Sequence, residues 1–337
     1  MRALVLKSPG HAAIESVPDP APTENTLLLK VRRVGLCGSD LNSFRGTNPL
    51  VSYPRIPGHE VSATIVEGCQ AQPGLAAGTN VTFSPYTNCG ACAACRRGRP
   101  NACKFNQTLG VQRDGALAQY IRISAEKIYP ANLSLTELCL VEPLTVGFHA
   151  VARGRVTAAD TVAIFGCGGV GLGAVAASAF RGAKTIALDV SEEKLETAKA
   201  AGAAHTIHTL RENLHQRLME LTEDHGPDVV VEAIGLPQTF RAAVEEVAFT
   251  GRVVYIGYAK EPVSYETKLF VQKELDILGS RNALPEDFRA VILMLQEHRF
   301  PVNEAVSSIV RLEDAPEALR AWSENPACVK KILVNLD

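Results

Sequence analysis

Four cysteines, Cys89, Cys92, Cys95 and Cys103, fall within fifteen residues in the run CGACAACRRGRPNAC, and upstream of them Cys37 is followed by Gly58-His59-Glu60. Together they imply two metal sites of different kinds. With nine cysteines in 337 residues, three more at set offsets from a given one are a poor match to chance, and thiolates so spaced read as a zinc site. Four thiolates close a tetrahedron and leave no position for a reactant, so this group is structural. A disulfide pair and an iron–sulfur cluster are the competing readings. The chain opens without the charged and apolar stretches of a secretory leader, so an oxidising compartment is not indicated. The last gap, seven residues, also departs from the bacterial ferredoxin run.

A third group of residues would bind phosphate. Gly166-Cys-Gly168-Gly169-Val170-Gly171 follows the apolar run Thr161–Phe165 and opens a stretch of small residues, the strand-then-helix context that a G-x-G-x-x-G run requires. Gly166 permits the tight turn, Gly168 lets the backbone approach a pyrophosphate, and Gly171 allows close helix–strand packing, with the helix N-terminus facing the phosphates. Asp189 ends the next strand, eighteen residues past Gly171. A carboxylate there accepts from the adenosine ribose and repels a 2′-phosphate, and Val190, Ser191 and Glu192 offer no basic alternative, so NAD is favoured over NADP. Ser191 competes with Asp189 for the role of cap on the helix that follows.

The elements that must position these groups divide the chain in two. At 46 % hydrophobic, 337 residues can bury large cores and suggest two domains. Leu27–Val34, Val61–Val66, Asn80–Phe83 and Ala116–Ile123 read as short strands of a β-rich barrel. From Leu144 strands alternate with helices: Thr161–Phe165, Lys184–Asp189, His205–Ile207, Asp228–Glu232, Arg252–Ile256 and Asp276–Gly279 are the strands, which means a doubly wound parallel sheet. The expected domains are 1–143 with 283–337, and 144–282. Net charge is −2 and the basic residues are scattered, so a nucleic-acid partner is not expected. No apolar run approaches the eighteen or so residues that span a bilayer, so no membrane partner and a soluble, cytoplasmic protein are expected. Cys69, Cys139, Cys167 and Cys328 read as small buried hydrophobes. His149 reads as a core histidine, and His205, His208, His215, His225 and His298 as surface residues.

Over nearly the whole chain these motifs resemble the zinc-dependent medium-chain dehydrogenase/reductase family: Cys37-Gly-Ser39-Asp40, Gly58-His59-Glu60, the four-cysteine lobe, Asp114-Gly115-Ala-Leu-Ala-Gln-Tyr120, Glu142-Pro143 and the glycine loop stand in the family's order. Glu142-Pro143-Leu144 looks like the polyol (sorbitol) dehydrogenase branch. Ser52–His59 and Gly279–Phe288 look most like bacterial L-galactonate and other sugar-acid 5-dehydrogenases.

The resemblance implies an α/β protein with a GroES-like β-barrel catalytic domain and a Rossmann domain. It implies two zinc ions per chain and oxidation of a secondary alcohol on a small polyhydroxylated substrate, a polyol or an aldonate, to a ketone with NAD. A homodimer or homotetramer would be usual. The catalytic zinc would take Cys37, His59 and a carboxylate from Glu60 or Glu142, leaving one position open. An alcohol bound there is acidified as zinc-bound water is. Ser39 would accept the hydroxyl proton and Asp40 would hold the His59 imidazole. Many relatives carry a histidine where this chain has Asn42, which cannot titrate, so the proton exit must use another group. Arg281 would meet substrate hydroxyls or grip a carboxylate in a fork, and Phe44 and Arg113 would line the same cleft. An L-threonine 3-dehydrogenase-like activity is the rival within enzymes. A non-catalytic NAD-binding sensor is the rival from another class; its signature, loss of Cys37 or His59, is absent.

Overall fold

A computed structural model describes residues 1–66, 74–326 and 329–337; the readings for Cys69 and Cys328 lie outside the described residues. In chain order the elements begin with β1 (Arg2–Ser8), β2 (His11–Ser16), β3 (Thr26–Gly35), α1 (Gly38–Phe44), β4 (Glu60–Ile65), β5 (Asn80–Phe83), α2 (Ala93–Arg96), β6 (Tyr120–Ser124), β7 (Ile128–Pro130) and α3 (Leu135–Arg153). There follow β8 (Thr161–Phe165), α4 (Gly169–Phe180), β9 (Lys184–Asp189), α5 (Glu192–Ala200), β10 (His205–His208), α6 (Leu214–Leu221), β11 (Val229–Glu232), α7 (Pro237–Glu246), β12 (Arg252–Tyr255), α8 (Lys268–Gln272) and β13 (Asp276–Gly279). The last are α9 (Pro285–Gln296), α10 (Val302–Ala305), β14 (Ser308–Arg311), α11 (Ala315–Glu324) and β15 (Ile332–Asn335).

One compact unit comprises 1–142, 284–296 and 302–337. Its main sheet runs β14-β15-β3-β4-β5-β7, with β6 also paired to β3. Leu29, Val31, Val34, Val61, Ala63, Val81, Phe83 and Val334 of these strands are buried in one cluster, the inward set expected of strands with one covered face. At Val31/Arg33 the β3–β4 register shifts, and beyond it Gly35 lies opposite Glu60. Only the end of the expected strand Ala116–Ile123 pairs as one. Ala116 and Leu117 instead donate to the carbonyls of Gly58 and Pro57, at 2.9 and 3.0 Å, because their amides are spent on the turn that carries His59. The β1–β2 hairpin was not among the expected strands.

The second unit comprises 143–283 and 297–301. Its six strands are all parallel in the order β10-β9-β8-β11-β12-β13, and their buried Val, Ile and Ala runs are those of a sheet covered on both faces. Strand order reverses between β8 and β11, the point where doubly wound folds open their ligand crevice. Ser191 caps α5, accepting from the Lys194 amide at 3.5 Å. His208 departs from its surface reading: it is buried at the end of β10. So does α3 from the expectation of no long apolar segment, since its 19 residues are long and apolar enough to cross a bilayer. That helix is 72 % buried within the protein and carries Glu142, so its hydropathy belongs to a core.

Candidate metal and dinucleotide sites

The four-cysteine lobe needs little besides its own segment. Cys92 Sγ lies 3.6 Å from Cys95 Sγ and 3.8 Å from Cys103 Sγ. Tetrahedral zinc at its usual Zn–S length sets its sulfurs about 3.8 Å apart, so these spacings fit the ion without rearrangement. Backbone amides supply the compensation thiolates need: Cys92 N donates to Cys89 Sγ at 3.3 Å, and Cys89 N and Phe105 N donate to Cys103 Sγ at 3.4 and 3.3 Å. Backbone amides of Cys95 and Lys104 pull the Cys92 thiol down to about 6, so that it is a thiolate near neutral pH.

The second group is assembled from distant parts of the first unit. Cys37 stands between the end of β3 and α1, and after Gly58, His59 directly precedes β4 and Glu60 opens it. Gly58 has φ +98°, and a Cβ there would meet Val34 Cγ1 at 2.8 Å, so the turn into His59 requires glycine. One ligating atom each from Cys37, His59 and Glu60 all lie within 4.8 Å of one another. Gly35 leaves room for the carboxylate, since a Cβ there would stand 2.1 Å from Glu60 Oε2. Glu142, from α3, accepts a hydrogen bond from the Tyr86 hydroxyl, and Cys139, one turn earlier on that helix, donates to Glu60 O at 3.2 Å.

Asp40, Glu60 and Glu142 bring negative charge into this region, and all three are buried. Burial lowers the His59 imidazole, but Asp40, Cys37 and Glu142 outweigh it and hold it well above its usual range. Burial raises Glu142 to about 6, with His59 opposing and Glu60 assisting. Lys331 is the one lysine or arginine buried among the described residues. Its ammonium donates to both oxygens of Glu60, at 2.7 and 2.6 Å, and to Leu36 O at 3.3 Å. One ammonium leaves an excess of anionic donors around a thiolate and an imidazole, and that donor set fits a divalent zinc.

Neither Lys331 nor Tyr86 was found by sequence reasoning. Lys331 directly precedes an apolar strand and has no motif around it; what brings it to Glu60 is the pairing of β15 with β3. Asp40 differs from its expected role. Its oxygens accept from Cys37 N at 2.9 Å and Gly58 N at 3.1 Å, while His59 Nδ1 is 3.9 Å away, too far for a hydrogen bond. Asp40 therefore ties together the two backbone turns that present Cys37 and His59. Ser39 Oγ is buried and has no partner among the described residues. Phe44 packs into the sheet core rather than standing free to line a site.

In the second unit Gly166 has φ +94° and its Cβ would lie 2.6 Å from Ile234 Cγ1; a Cβ on Gly171 would lie 1.7 Å from Gly166 O. Both positions demand glycine. Gly168, Gly169 and Val170 start α4, with Gly168 as its cap. Asp189 is buried and already engaged: Oδ2 accepts from Cys167 N at 2.8 Å, and Oδ1 from Val190 N and Ser191 N at 2.8 and 3.0 Å. It joins the glycine loop to the end of β9. A carboxylate offers about four lone-pair sites, which leaves one for a ligand. Cys139 and Cys167 are buried, as expected. Arg281 is exposed, two residues past β13.

Residues 169–297 match the sequence family described as zinc-binding dehydrogenase, and 23–133 match the alcohol dehydrogenase GroES-like domain. Sorbitol dehydrogenase of Bacillus subtilis is 35 % identical over 98 % of this chain and 96 % of its own length. L-galactonate-5-dehydrogenase of Escherichia coli is 30 % identical, over 89 % and 92 %. Among solved structures, an Escherichia coli CFT073 alcohol dehydrogenase (rspB) complexed with cofactor NADH superposes with a TM-score of 0.91 at 26 % identity, over 100 % of this chain and 99 % of that one. The chain belongs to the zinc-binding medium-chain alcohol dehydrogenases, on their polyol-dehydrogenase-like side, and is an enzyme.

Proposed function

We propose that the protein oxidises a secondary alcohol of a polyol or sugar acid to the ketone, passing the hydride to NAD. The observation that carries this reading is the convergence of Cys37, His59 and Glu60 within 4.8 Å. Cys37, His59 and Glu60 would hold the catalytic zinc, with Glu142 beside it, and Cys89, Cys92, Cys95 and Cys103 the structural one. Zinc so held would acidify a substrate hydroxyl, and NAD would accept the hydride from the carbinol carbon. Ser39 Oγ, buried and unpartnered among the described residues, is the group to take the hydroxyl proton. Asp40 keeps Cys37 and His59 in register through its two backbone bonds, and Tyr86 orients Glu142.

The catalytic role falls to 1–143 and 283–337 and the dinucleotide to 144–282. Gly166, Gly168, Gly169, Val170 and Gly171 would receive the pyrophosphate, and Asp189, with its remaining lone pair, the adenosine ribose. Arg281 is assigned to substrate hydroxyls or a substrate carboxylate. Four zinc-bound thiolates suit a reducing, cytoplasmic compartment. One of the two outer strands of the parallel sheet, β13, keeps Ile277 exposed, and an edge that is unpaired among the described residues supports a homodimer or homotetramer. A panel of polyols, aldonates and amino acids with NAD and with NADP, followed by the absorbance of the reduced cofactor, tests the reading. Turnover of an aldonate or polyol with NAD is expected. Turnover confined to L-threonine would replace it by the amino-alcohol reading, and no turnover with tight NADH binding by the sensor reading.

A further inference from the structure

Glu232, the last residue of β11, is fully buried, and it has no ion-pair partner among the described residues. An uncompensated carboxylate in such a place is costly unless backbone donors surround it. Here they do on one side only. Oε1 accepts from Ile234 N at 3.0 Å, Gly235 N at 2.8 Å and the Thr239 hydroxyl at 2.7 Å. Oε2 has no partner among the described residues and lies 2.6 Å from where a Cβ on Gly257 would stand. The main-chain oxygen of Glu232 accepts from Ile256 N at 2.9 Å and Gly257 N at 3.1 Å. One residue thus holds the loops that leave both β11 and β12.

Those loops sit at the crevice. Strand order reverses between β8 and β11, so the glycine loop after β8 and the loop after β11 are its two lips. They touch directly: Ala233 N donates to Phe165 O at 2.9 Å, and Ile234 occupies the space a Gly166 side chain would need. Asp189 lies on the other side of β8, at the end of β9. If the adenosine half is taken there and the pyrophosphate at Gly166–Gly171, the remaining half of the dinucleotide must extend toward β11 and β12. Ile234, Leu236 and Tyr258, the large apolar residues of those two loops, are 43 %, 45 % and 76 % exposed, an apolar fringe suited to a flat ring with an amide.

We infer that Glu232 is a positioning residue for the nicotinamide half of the dinucleotide, fixing the loop from Ile234 to Thr239 through its carboxylate; this rests on the NAD reading above. Full-length protein is titrated with NADH and separately with ADP, which lacks the nicotinamide half. Glu232→Ala should weaken NADH about tenfold while moving ADP less than about twofold, because charged hydrogen bonds to the loop are lost only on one side of the glycine loop. Glu232→Gln keeps an acceptor at Oε1 and should stay within about threefold of the unmutated protein for NADH. Should Glu232→Ala not fold, Thr239→Val removes one donor from the same oxygen and should weaken NADH about threefold with ADP unchanged. Equal weakening of NADH and ADP, or unchanged NADH affinity in the folded variants, overturns the inference. Failure of the unmutated protein to bind NADH would instead overturn the NAD reading.

Discussion

The two candidate metal sites are built in opposite ways. In the four-cysteine lobe the donors come from one short segment, three of them are partly or fully exposed, and backbone amides of that same segment stabilise the sulfurs. Around Cys37 and His59 the participants come from β3–α1, β4, α3 and the residue before β15, all but the half-buried Cys37 are buried, and the Glu60 carboxylate is met by Lys331, far away in sequence. A site of the first kind can be removed with its segment. A site of the second kind is tied to the fold at several points, and its chemistry depends on how buried charges share their partners.

The sharpest break between them is substitution of one ligand in each. His59→Ala should cut turnover about 1,000-fold, from the several kcal/mol of charge stabilisation lost with the metal, and halve the zinc content. Cys92→Ser should remove the other zinc and lower the melting temperature instead, because structural zinc binding is folding free energy. One zinc per chain in fully active unmutated protein would mean that one of the two sites is misassigned. Mild chelation should separate the sites again, with activity falling before the circular dichroism of the fold. Simultaneous loss would show that the closed site is no tighter than the open one.

Lys331→Met tests the distributed construction. In zinc-free protein it strands Glu60 in the core without its ammonium, and removing one partner of a buried pair costs about 3–5 kcal/mol. Denaturant unfolding should record that loss, and adding Glu60→Gln should recover most of it. A loss under about 1 kcal/mol would mean that Glu60 is compensated otherwise, as an exposed pair would be.

This contrast also explains what could be read beforehand. The lobe, the glycine loop and the parallel strands were legible because each is written in consecutive residues: ligand spacing, a strand ending in Gly166, apolar runs of strand length. Cys37 and His59 were legible through their local motifs. Lys331 was not, since only the pairing of Leu333 with Gly35 puts it beside Glu60. Asp40 was placed at the site, yet its partners are the amides of Cys37 and Gly58, and a role for a single small acid in a loop follows from which donors the fold turns toward it. His208 was misread for the same reason: its position in the sheet, rather than its neighbours in sequence, buries it.

Asp189 extends the contrast to the second unit, because its carboxylate serves a ligand and the fold together. Asp189→Ala should weaken NAD about 10- to 100-fold, for a charged hydrogen bond worth about 1.5–3 kcal/mol, and should help NADP little, since Cys167 N then loses its acceptor. Asp189→Asn keeps an acceptor and should retain the loop. If Asp189→Ala converted the enzyme cleanly to NADP, the carboxylate would matter only to the ribose.

The smallest effect expected is the most informative about substrate. Arg281 is exposed, and a neutral polyol differs from an aldonate of the same stereochemistry chiefly in the charge that a guanidinium can recognise. Where a carboxylate is held in the bidentate fork, Arg281→Lys cannot reproduce it, since an ammonium is a point donor on a flexible stem. The loss should appear in kcat/KM for aldonates, by about tenfold for the roughly 1.5 kcal/mol at the low end of charged hydrogen bonding, with neutral polyols changing less. Equal penalties on both substrate classes in Arg281→Lys and Arg281→Ala would make the arginine a contact to hydroxyls or to the cofactor. The sugar-acid reading would then give way to a polyol dehydrogenase that recognises its substrate without using charge.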